Sequence, residues 1–280
     1  MNVIGLGSAG CNIAEKLSEY PQYTPYFIDS EKRPGDNFLL VTKKTSHEEY
    51  EAKTRLRKAF FQKIKGETMF IVAGAATVSG LSLRVLEKIK HLNPTILYIK
   101  SDVSLLPEIR KKQENVVFNI LQQYARSTLF KKMYIVDNVV LEGILGEVPI
   151  KGYYEHLNSL IVSTLHMVNV YRNSQAEMET FSEPVNSARI GTFGVVDVES
   201  GEEKLFYLLD NPREKMYYYA INEEQLKNDG GLFKRITGHV RDKVVDEKMK
   251  VSYGIYSTDY EKNYAYSVAC ASFIQEQIIV

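Results

Sequence analysis

Short apolar runs alternate with amphipathic segments along the first half of the chain. A continuous apolar run is typical of a buried strand, whereas apolar residues spaced by three and four positions are typical of a helix that buries one face. The predicted strands are Asn2–Leu6, Pro25–Asp29, Met69–Ala73, Thr95–Lys100 and Lys132–Val136, and the predicted helices are Asn12–Glu19, Glu48–Ile64, Leu81–Lys90 and Pro107–Tyr124. This alternation predicts a doubly wound α/β domain, in which helices cover both faces of a parallel sheet.

The second half of the chain begins with one long amphipathic segment. Its apolar residues recur at helical spacing from Tyr153 to Tyr171 and predict a core helix. Beyond the polar residues 172–187, the pattern predicts strands at Ile190–Val198, Leu205–Asp210, Met216–Ile221, Lys250–Tyr256 and Ala265–Phe273, and a helix at Gly231–Val245. We therefore expect a first domain at 1–150, the core helix and a connecting loop at 151–187, and a smaller α+β domain at 188–280.

Composition excludes several classes of function. The 280 residues include 35 Lys and Arg and 35 Asp and Glu, so the formal net charge is +0 and no direct nucleic-acid partner is expected. The chain shows no signal-peptide pattern, and polar residues interrupt its longest apolar stretches, which predicts a soluble, cytoplasmic protein without membrane insertion. Cys11 and Cys270 lack metal-ligand spacing and are expected to be buried, reduced thiols.

A glycine-rich loop follows the first predicted strand. The stretch VIGLGSAGCN contains G-x-G-x-x-G at Gly5, Gly7 and Gly10. Glycines at such a turn let bare backbone N–H groups approach a phosphate, which the positive end of the next helix also attracts. Asp29 lies about 20 positions further on, where dinucleotide-binding proteins place an acidic residue for a ribose hydroxyl. This pattern alone permits an NAD(P)-dependent oxidoreductase.

A second loop of small residues follows the third predicted strand. In FIVAGAATVSGLSL the small residues are Gly74, Ala75, Ala76, Thr77, Ser79, Gly80 and Ser82. A dinucleotide-binding domain does not need two such loops, whereas a nucleotide laid across several strand ends does. The second loop therefore favours a different nucleotide-binding arrangement from that of an oxidoreductase.

Several stretches resemble the tubulin/FtsZ superfamily, in order along almost the whole chain. VIGLGSAGCN resembles its first loop, and FIVAGAATVSG lies where the family has a strand followed by G-G-G-T-G-[ST]-G. YIVDNVVLEGIL resembles a strand, an Asn-Asp loop and a short helix, and YYEHLNSLIVSTLHMV resembles the core helix. KVSYGIYSTDYEKNYAYSVACASF resembles a closing hairpin. The resemblance implies the α/β tubulin/FtsZ fold, with a nucleotide-binding first domain.

Members of that superfamily bind GTP or GDP and assemble head to tail. The resemblance therefore implies GTP/GDP as cofactor, Mg²⁺ as a candidate metal ion, and a second copy of the chain as partner. The residues that it implies for nucleotide binding are Gly5, Gly7, Ser8, Gly10 and Asn12 for phosphate and ribose, Gly74, Ser79 and Gly80 for the terminal phosphates, Asp137 or Asn138 together with Asn158 for guanine, and Asp29 for the metal or ribose side.

Two stretches depart from the family pattern. The second loop has lost most of the signature glycines, and every added Cβ narrows the approach of a triphosphate. After the core helix the family has N-x-D-x-x-D, whereas this chain reads NSQAEMETFSEPVN, in which Glu177, Glu179 and Glu183 are the candidate catalytic carboxylates for a GTPase. The alternative to a filament-forming GTP-binding protein is an interaction protein that keeps the fold without nucleotide.

Overall fold

The chain divides into two compact units. A computed structural model describes residues 1–104 and 106–274. The first unit is Met1–Val162 and the second begins at Ser163, so the boundary lies inside the long core helix. The three-part division at 1–150, 151–187 and 188–280 stays a prediction about domains.

The first unit contains a parallel sheet. Its strands are β1 (Asn2–Leu6), β2 (Thr24–Asp29), β3 (Phe38–Leu40), β4 (Thr68–Ala73), β5 (Thr95–Lys100) and β6 (Lys132–Asp137). They lie in the order β3-β2-β1-β4-β5-β6, and each pair is parallel. Every residue of β4 is buried, as expected for a strand covered on both faces. Because parallel strands end at one edge, the loops after β1, β4 and β6 leave the sheet on the same side.

Helices connect these strands and confirm the α/β class. They are α1 (Gly7–Leu17), α2 (His47–Lys53), α3 (Lys58–Gln62), α4 (Ser82–Ile89), α5 (Glu108–Arg126), α6 (Asn138–Leu145) and α7 (Tyr153–Arg172). A 3₁₀ turn at Thr77–Leu81 precedes α4. The start predicted for the first helix, Asn12, is wrong, because α1 begins at Gly7 directly after β1. The glycine-rich loop is therefore the first turn of a helix.

The predicted helix 48–64 is two short helices. α2 and α3 are separated by extended residues, with ψ of 128° at Thr54 and 119° at Arg57. Arg84 of α4 donates hydrogen bonds to the backbone carbonyls of Glu51 and Thr54. This cation satisfies carbonyl groups at the end of α2, a common way to terminate a helix. A contact from a distant residue thus ends a helix that the local pattern would continue.

The core helix α7 agrees with the periodicity of the sequence. Its buried apolar residues share one stripe and are Leu157, Ile161, Val162, Leu165, Val168 and Tyr171. The Tyr153 hydroxyl donates a 2.8 Å hydrogen bond to Glu142 of α6. This contact joins the beginning of α7 to the short helix that follows β6.

The second unit is an α+β arrangement. Its elements are β7 (Met178–Glu179), β8 (Ile190–Val196), β9 (Glu203–Leu205), β10 (Glu214–Asn222), α8 (Glu223–Asn228), α9 (Leu232–Asp242), β11 (Lys250–Thr258) and β12 (Tyr264–Ala271). The predicted strand 205–210 is wrong beyond Leu205, where β9 ends. Leu232, Ile236 and Val240 of α9 pack against Tyr217 and Tyr219 of β10 in one apolar cluster.

The predicted closing hairpin is also wrong. β10 lies between β11 and β12, parallel to the first and antiparallel to the second. The three consecutive tyrosines 217–219 are all buried, which explains why β10 takes an interior position in its sheet. Burial along one strand thus decides the pairing, although β11 and β12 are neighbours in sequence.

Among the residues that the structure describes, no helix is both long enough and apolar enough to span a bilayer.

Candidate functional site

The first loop is a close contact between β1, α1 and β4. A Cβ added to Gly5 would lie 2.5 Å from the Gly10 carbonyl oxygen, and one added to Gly10 would lie 2.6 Å from the Ile71 carbonyl oxygen. The Cys11 thiol donates a 3.3 Å hydrogen bond to the Gly5 carbonyl, and burial raises the pKa of this thiol to about 12. Gly5 and Gly10 therefore allow α1 to pack directly on the sheet, and Cys11 is a buried, reduced thiol as predicted.

Gly7 makes the turn from strand to helix. Its φ is +67°, in the left-handed region that favours glycine. No side chain caps the first turn of α1, since Leu6 occupies the N-cap position, and this turn contains no acidic residue. Uncapped N–H groups at the positive end of a helix attract anions, and Ser8 in the same turn is exposed. The first turn of α1 thus offers donors suited to a phosphate group.

Arg33 lies across this turn, and the sequence analysis missed it. Its guanidinium donates to the Asn12 side-chain oxygen at 2.8 Å and to the Ser8 carbonyl at 3.4 Å. It also pairs with Glu15 at 3.2 Å and with Asp29 at 3.4 Å. Residues 30–37 follow neither helical nor strand periodicity, so the only sequence signal was the spacing of four between Asp29 and Arg33. A cation therefore accompanies Ser8 and Asn12.

Asp29 is buried and already bonded. Its carboxylate accepts a 2.7 Å hydrogen bond from the Ser30 N–H in addition to the Arg33 contact. Both carboxylate oxygens thus have a protein donor. The arrangement makes Asp29 a residue that holds Arg33 in place.

Residues of the second loop make hydrogen bonds and close contacts within the protein itself. The Ser79 side chain is 1% exposed, and its hydroxyl donates a 2.7 Å hydrogen bond to the Gly74 carbonyl. A Cβ at Gly74 would overlap the Tyr98 hydroxyl, and one at Gly80 would overlap the His47 backbone. The small residues at these positions are thus explained by close packing against β5 and α2.

Val78 brings the two loops into contact. It occupies the fifth position of the segment GAATVSG, where the family signature has a glycine. Its side chain is 8% exposed, and its Cγ1 would overlap a Cβ added to Gly7. An apolar side chain therefore fills the space beside Gly7.

The candidate guanine-binding residues lie in α6 and α7. Asp137 is the N-cap of α6 and accepts a 2.9 Å hydrogen bond from the Val139 N–H, while Lys100 lies 3.5 Å from its carboxylate. Asn138 begins that helix and is half-buried. Asn158 is 8% exposed and its amide has no hydrogen-bond partner among the described residues. The Asn158 side chain is therefore available to a ligand.

The candidate catalytic carboxylates belong to the second unit. Glu177 and Glu179 are exposed and lie at β7, the edge strand beside β11. The Glu177 N–H donates to the Ile255 carbonyl at 2.8 Å, and the Glu183 carbonyl accepts from Lys250. Their backbone is therefore anchored while the side chains face solvent. No cluster of three potential metal ligands occurs among the described residues.

Glu114 of α5 lies beside the second loop and was not predicted. The Tyr98 hydroxyl donates a 3.5 Å hydrogen bond to its carboxylate, and a Cβ at Gly74 would lie 2.9 Å from its Cγ. Burial raises the pKa of the Glu114 carboxyl from its usual 4.5 to about 7. The neighbourhood of the second loop therefore contains a carboxyl that ionises near neutral pH.

Solved structures share this architecture across the chain. GDP-form protofilaments of TubZ from Bacillus thuringiensis serovar israelensis match with a TM-score of 0.72 and 13% identity, covering 99% of this chain and 88% of TubZ. The chain has the tubulin/FtsZ fold. An empty FtsZ dimer from M. jannaschii matches with a TM-score of 0.68 and 11% identity, over 96% of this chain and 87% of FtsZ. GDP-bound monomeric CetZ1 from Haloferax volcanii matches with a TM-score of 0.66 and 13% identity, covering 99% of this chain and 94% of CetZ1.

The shared fold confirms the resemblance noted in the sequence. Because the sequence identity to these structures is only 11% to 13%, the chain is a divergent example of the fold. No protein-family model matches the sequence, and no curated protein does so at a significant level. The significant matches are therefore those of the three-dimensional arrangement.

Proposed function

We propose that this chain binds a guanine nucleotide at the first turn of α1 and assembles head to tail into filaments in the cytoplasm. The observation that carries the proposal is the helix start at Gly7, where the N-cap residue Leu6 offers no side-chain acceptor to the N–H groups that follow. The shared fold supports it, because the solved TubZ and FtsZ structures include protofilaments and a dimer.

Each candidate residue has a role in this proposal. The N–H groups of Gly7 and Ser8 approach the diphosphate, and the Arg33 guanidinium, which also pairs with Glu15 and Asp29, lies beside them. Gly10 acts through its close packing against Ile71. Asn158, whose amide has no hydrogen-bond partner among the described residues, hydrogen-bonds the base. Gly5 acts through packing and Asp29 acts by holding Arg33. Asp137, Asn138 and Asn12 complete the base and ribose sides as the resemblance implies.

The residues fit a diphosphate better than a triphosphate. The first turn of α1 provides unpaired donors, whereas Ser79, Gly74 and Gly80 of the second loop are all committed to contacts within the protein. Mg²⁺ would come with the phosphates of the nucleotide, since this ion is commonly held by substrate phosphates and water.

A hydrolytic role depends on the exposed carboxylates of Glu177, Glu179 and Glu183. In the head-to-tail arrangement they would be presented to the nucleotide of a second copy. Phosphate release by wild type and by the triple alanine variant tests this role.

A second candidate function is an interaction protein that uses the fold without nucleotide. Val78 favours it, because its side chain fills the space beside Gly7. An oxidoreductase is less well supported, since the Asp29 carboxylate that would bind a ribose hydroxyl already accepts from Ser30 and Arg33.

Thermal stability and sedimentation distinguish the three functions. Both are measured with GDP, GTP, NADH or no nucleotide, for wild type, Asn158→Ala and the control Ser159→Ala on the exposed side of the same helix. We expect a guanine nucleotide to raise the melting temperature and to increase pelleting in wild type and the control, with a smaller effect in Asn158→Ala. Pelleting that does not depend on nucleotide would support the nucleotide-independent interaction protein. A change in melting temperature or pelleting with NADH alone would refute the proposal.

A further inference from the structure

Val78 closes the space that a terminal phosphate would need between the two loops. Its Cγ1 lies over Gly7, at the place that a side chain on Gly7 would fill. A glycine at position 78, as in the family signature, would leave this volume empty. The β-branched side chain of valine is instead nearly fully buried there. A phosphate at this point would have to displace a packed apolar side chain.

Three backbone N–H groups of the second loop are also bonded within the protein. The N–H groups of Gly74, Ala76 and Ser79 donate to the backbone carbonyls of Ile99, Ala73 and Ala76, at 3.3, 3.4 and 2.9 Å. A phosphate-binding loop instead directs its N–H groups towards the ligand. The second loop therefore offers few donors, in contrast to the first turn of α1.

The charge beside the second loop also disfavours a phosphate there. The acidic side chain of Glu114 approaches Gly74, where an added Cβ would lie 2.9 Å from its Cγ. When ionised, the Glu114 carboxylate repels an additional phosphate charge. An ionised Glu114 therefore disfavours a phosphate at the second loop.

We infer that the site accepts a guanosine diphosphate and excludes the terminal phosphate of a triphosphate, with Val78 as the residue that sets this preference. The inference rests on the proposed function, because it concerns the same site.

The test compares the affinities of the full chain for GDP and GTP by isothermal titration calorimetry. Variants Val78→Gly and Val78→Ala shorten the side chain in two steps. Val85→Ala is the matched control, because Val85 is a fully buried valine of α4 in the same unit. We expect wild type and the control to bind GDP at least about tenfold more tightly than GTP. The preference for GDP over GTP should fall stepwise as the side chain is shortened, to about threefold or less in Val78→Gly.

Each outcome has a separate meaning. If wild type binds GTP as tightly as GDP, or if shortening Val78 leaves the ratio unchanged, this inference is wrong while the proposed function stands. If no variant binds either nucleotide, both are wrong. Binding by Val78→Gly alone would refute the diphosphate preference and favour the nucleotide-independent function. If Val78→Gly does not fold, the ratios of GDP affinity to GTP affinity in wild type and Val78→Ala test the inference.

Discussion

The Arg33 guanidinium and the Asn12 side chain share a 2.8 Å hydrogen bond over the first turn of α1. The same cation lies 3.4 Å from the buried Asp29 carboxylate. A residue from the loop after β2 therefore holds together the acidic residue and the asparagine that the sequence suggested separately.

Replacing Arg33 by alanine should lower stability. The change leaves the Asp29 carboxylate buried with one donor fewer, and we expect a loss of about 2 kcal/mol in the free energy of unfolding, measured in urea. Lys227→Ala is the control, because Lys227 pairs with Glu223 at 2.7 Å on the exposed face of α8, where solvent screens the pair and its loss should change stability little. Equal losses in the two variants would contradict the role assigned to Arg33.

The glycines of the first loop should tolerate no side chain. Gly10→Ala places a Cβ 2.6 Å from the Ile71 carbonyl oxygen and should cost about 2–3 kcal/mol, because neither backbone can move freely. Gly143→Ala, within α6, meets nothing within 4 Å and should stabilise the protein by about 0.5–1 kcal/mol. Urea denaturation of both variants measures this difference, and a mild effect of Gly10→Ala would show that α1 does not pack as described.

Glu114 should make stability depend on pH. Its pKa is raised to about 7 in the folded protein, so its contribution is fully present below pH 4.5 and is lost as the pH rises through 7. Relative to Glu114→Gln, wild type should lose up to about 3 kcal/mol over this interval. Unfolding free energies of both proteins between pH 4 and about 8 provide the measurement. Parallel curves would show that the carboxyl is not desolvated.

The N-cap of α6 should depend on an oxygen acceptor rather than on charge. Asp137→Ala removes the acceptor for the Val139 N–H and should cost about 1 kcal/mol. Asp137→Asn keeps an acceptor and should lose less stability, because it removes mainly the 3.5 Å ion pair with Lys100. Chemical denaturation of the two variants would contradict this account if the asparagine variant were the less stable.

Local patterns predicted α7 and five of the six strands of the first unit well, whereas the short strand β3 was missed. A strand such as β4 is a continuous apolar run because both of its faces are covered, and α7 repeats apolar residues at a helical period. The position of β10 between β11 and β12 was not predictable in this way. Strand pairing is decided by burial across the whole sheet, and neighbours in sequence are only the commonest partners.

The candidate site was predicted only in part. Gly7 behaves as the pattern indicates, but Gly74 and Gly80 are small because Tyr98 and His47 pack against them. A small residue beside a ligand and one beside another side chain have the same sequence signal. Arg33 was missed because its loop has no periodicity. The partner of a loop residue is set by the tertiary structure.

The most direct test of the account is a crystal structure of the chain grown with GDP. We predict a diphosphate within hydrogen-bond distance of the N–H groups of residues 7–9, with the Arg33 side chain beside it, the base at Asn158, and Val78 still packed on Gly7. A structure at saturating GDP without nucleotide at the first turn of α1 would contradict the account.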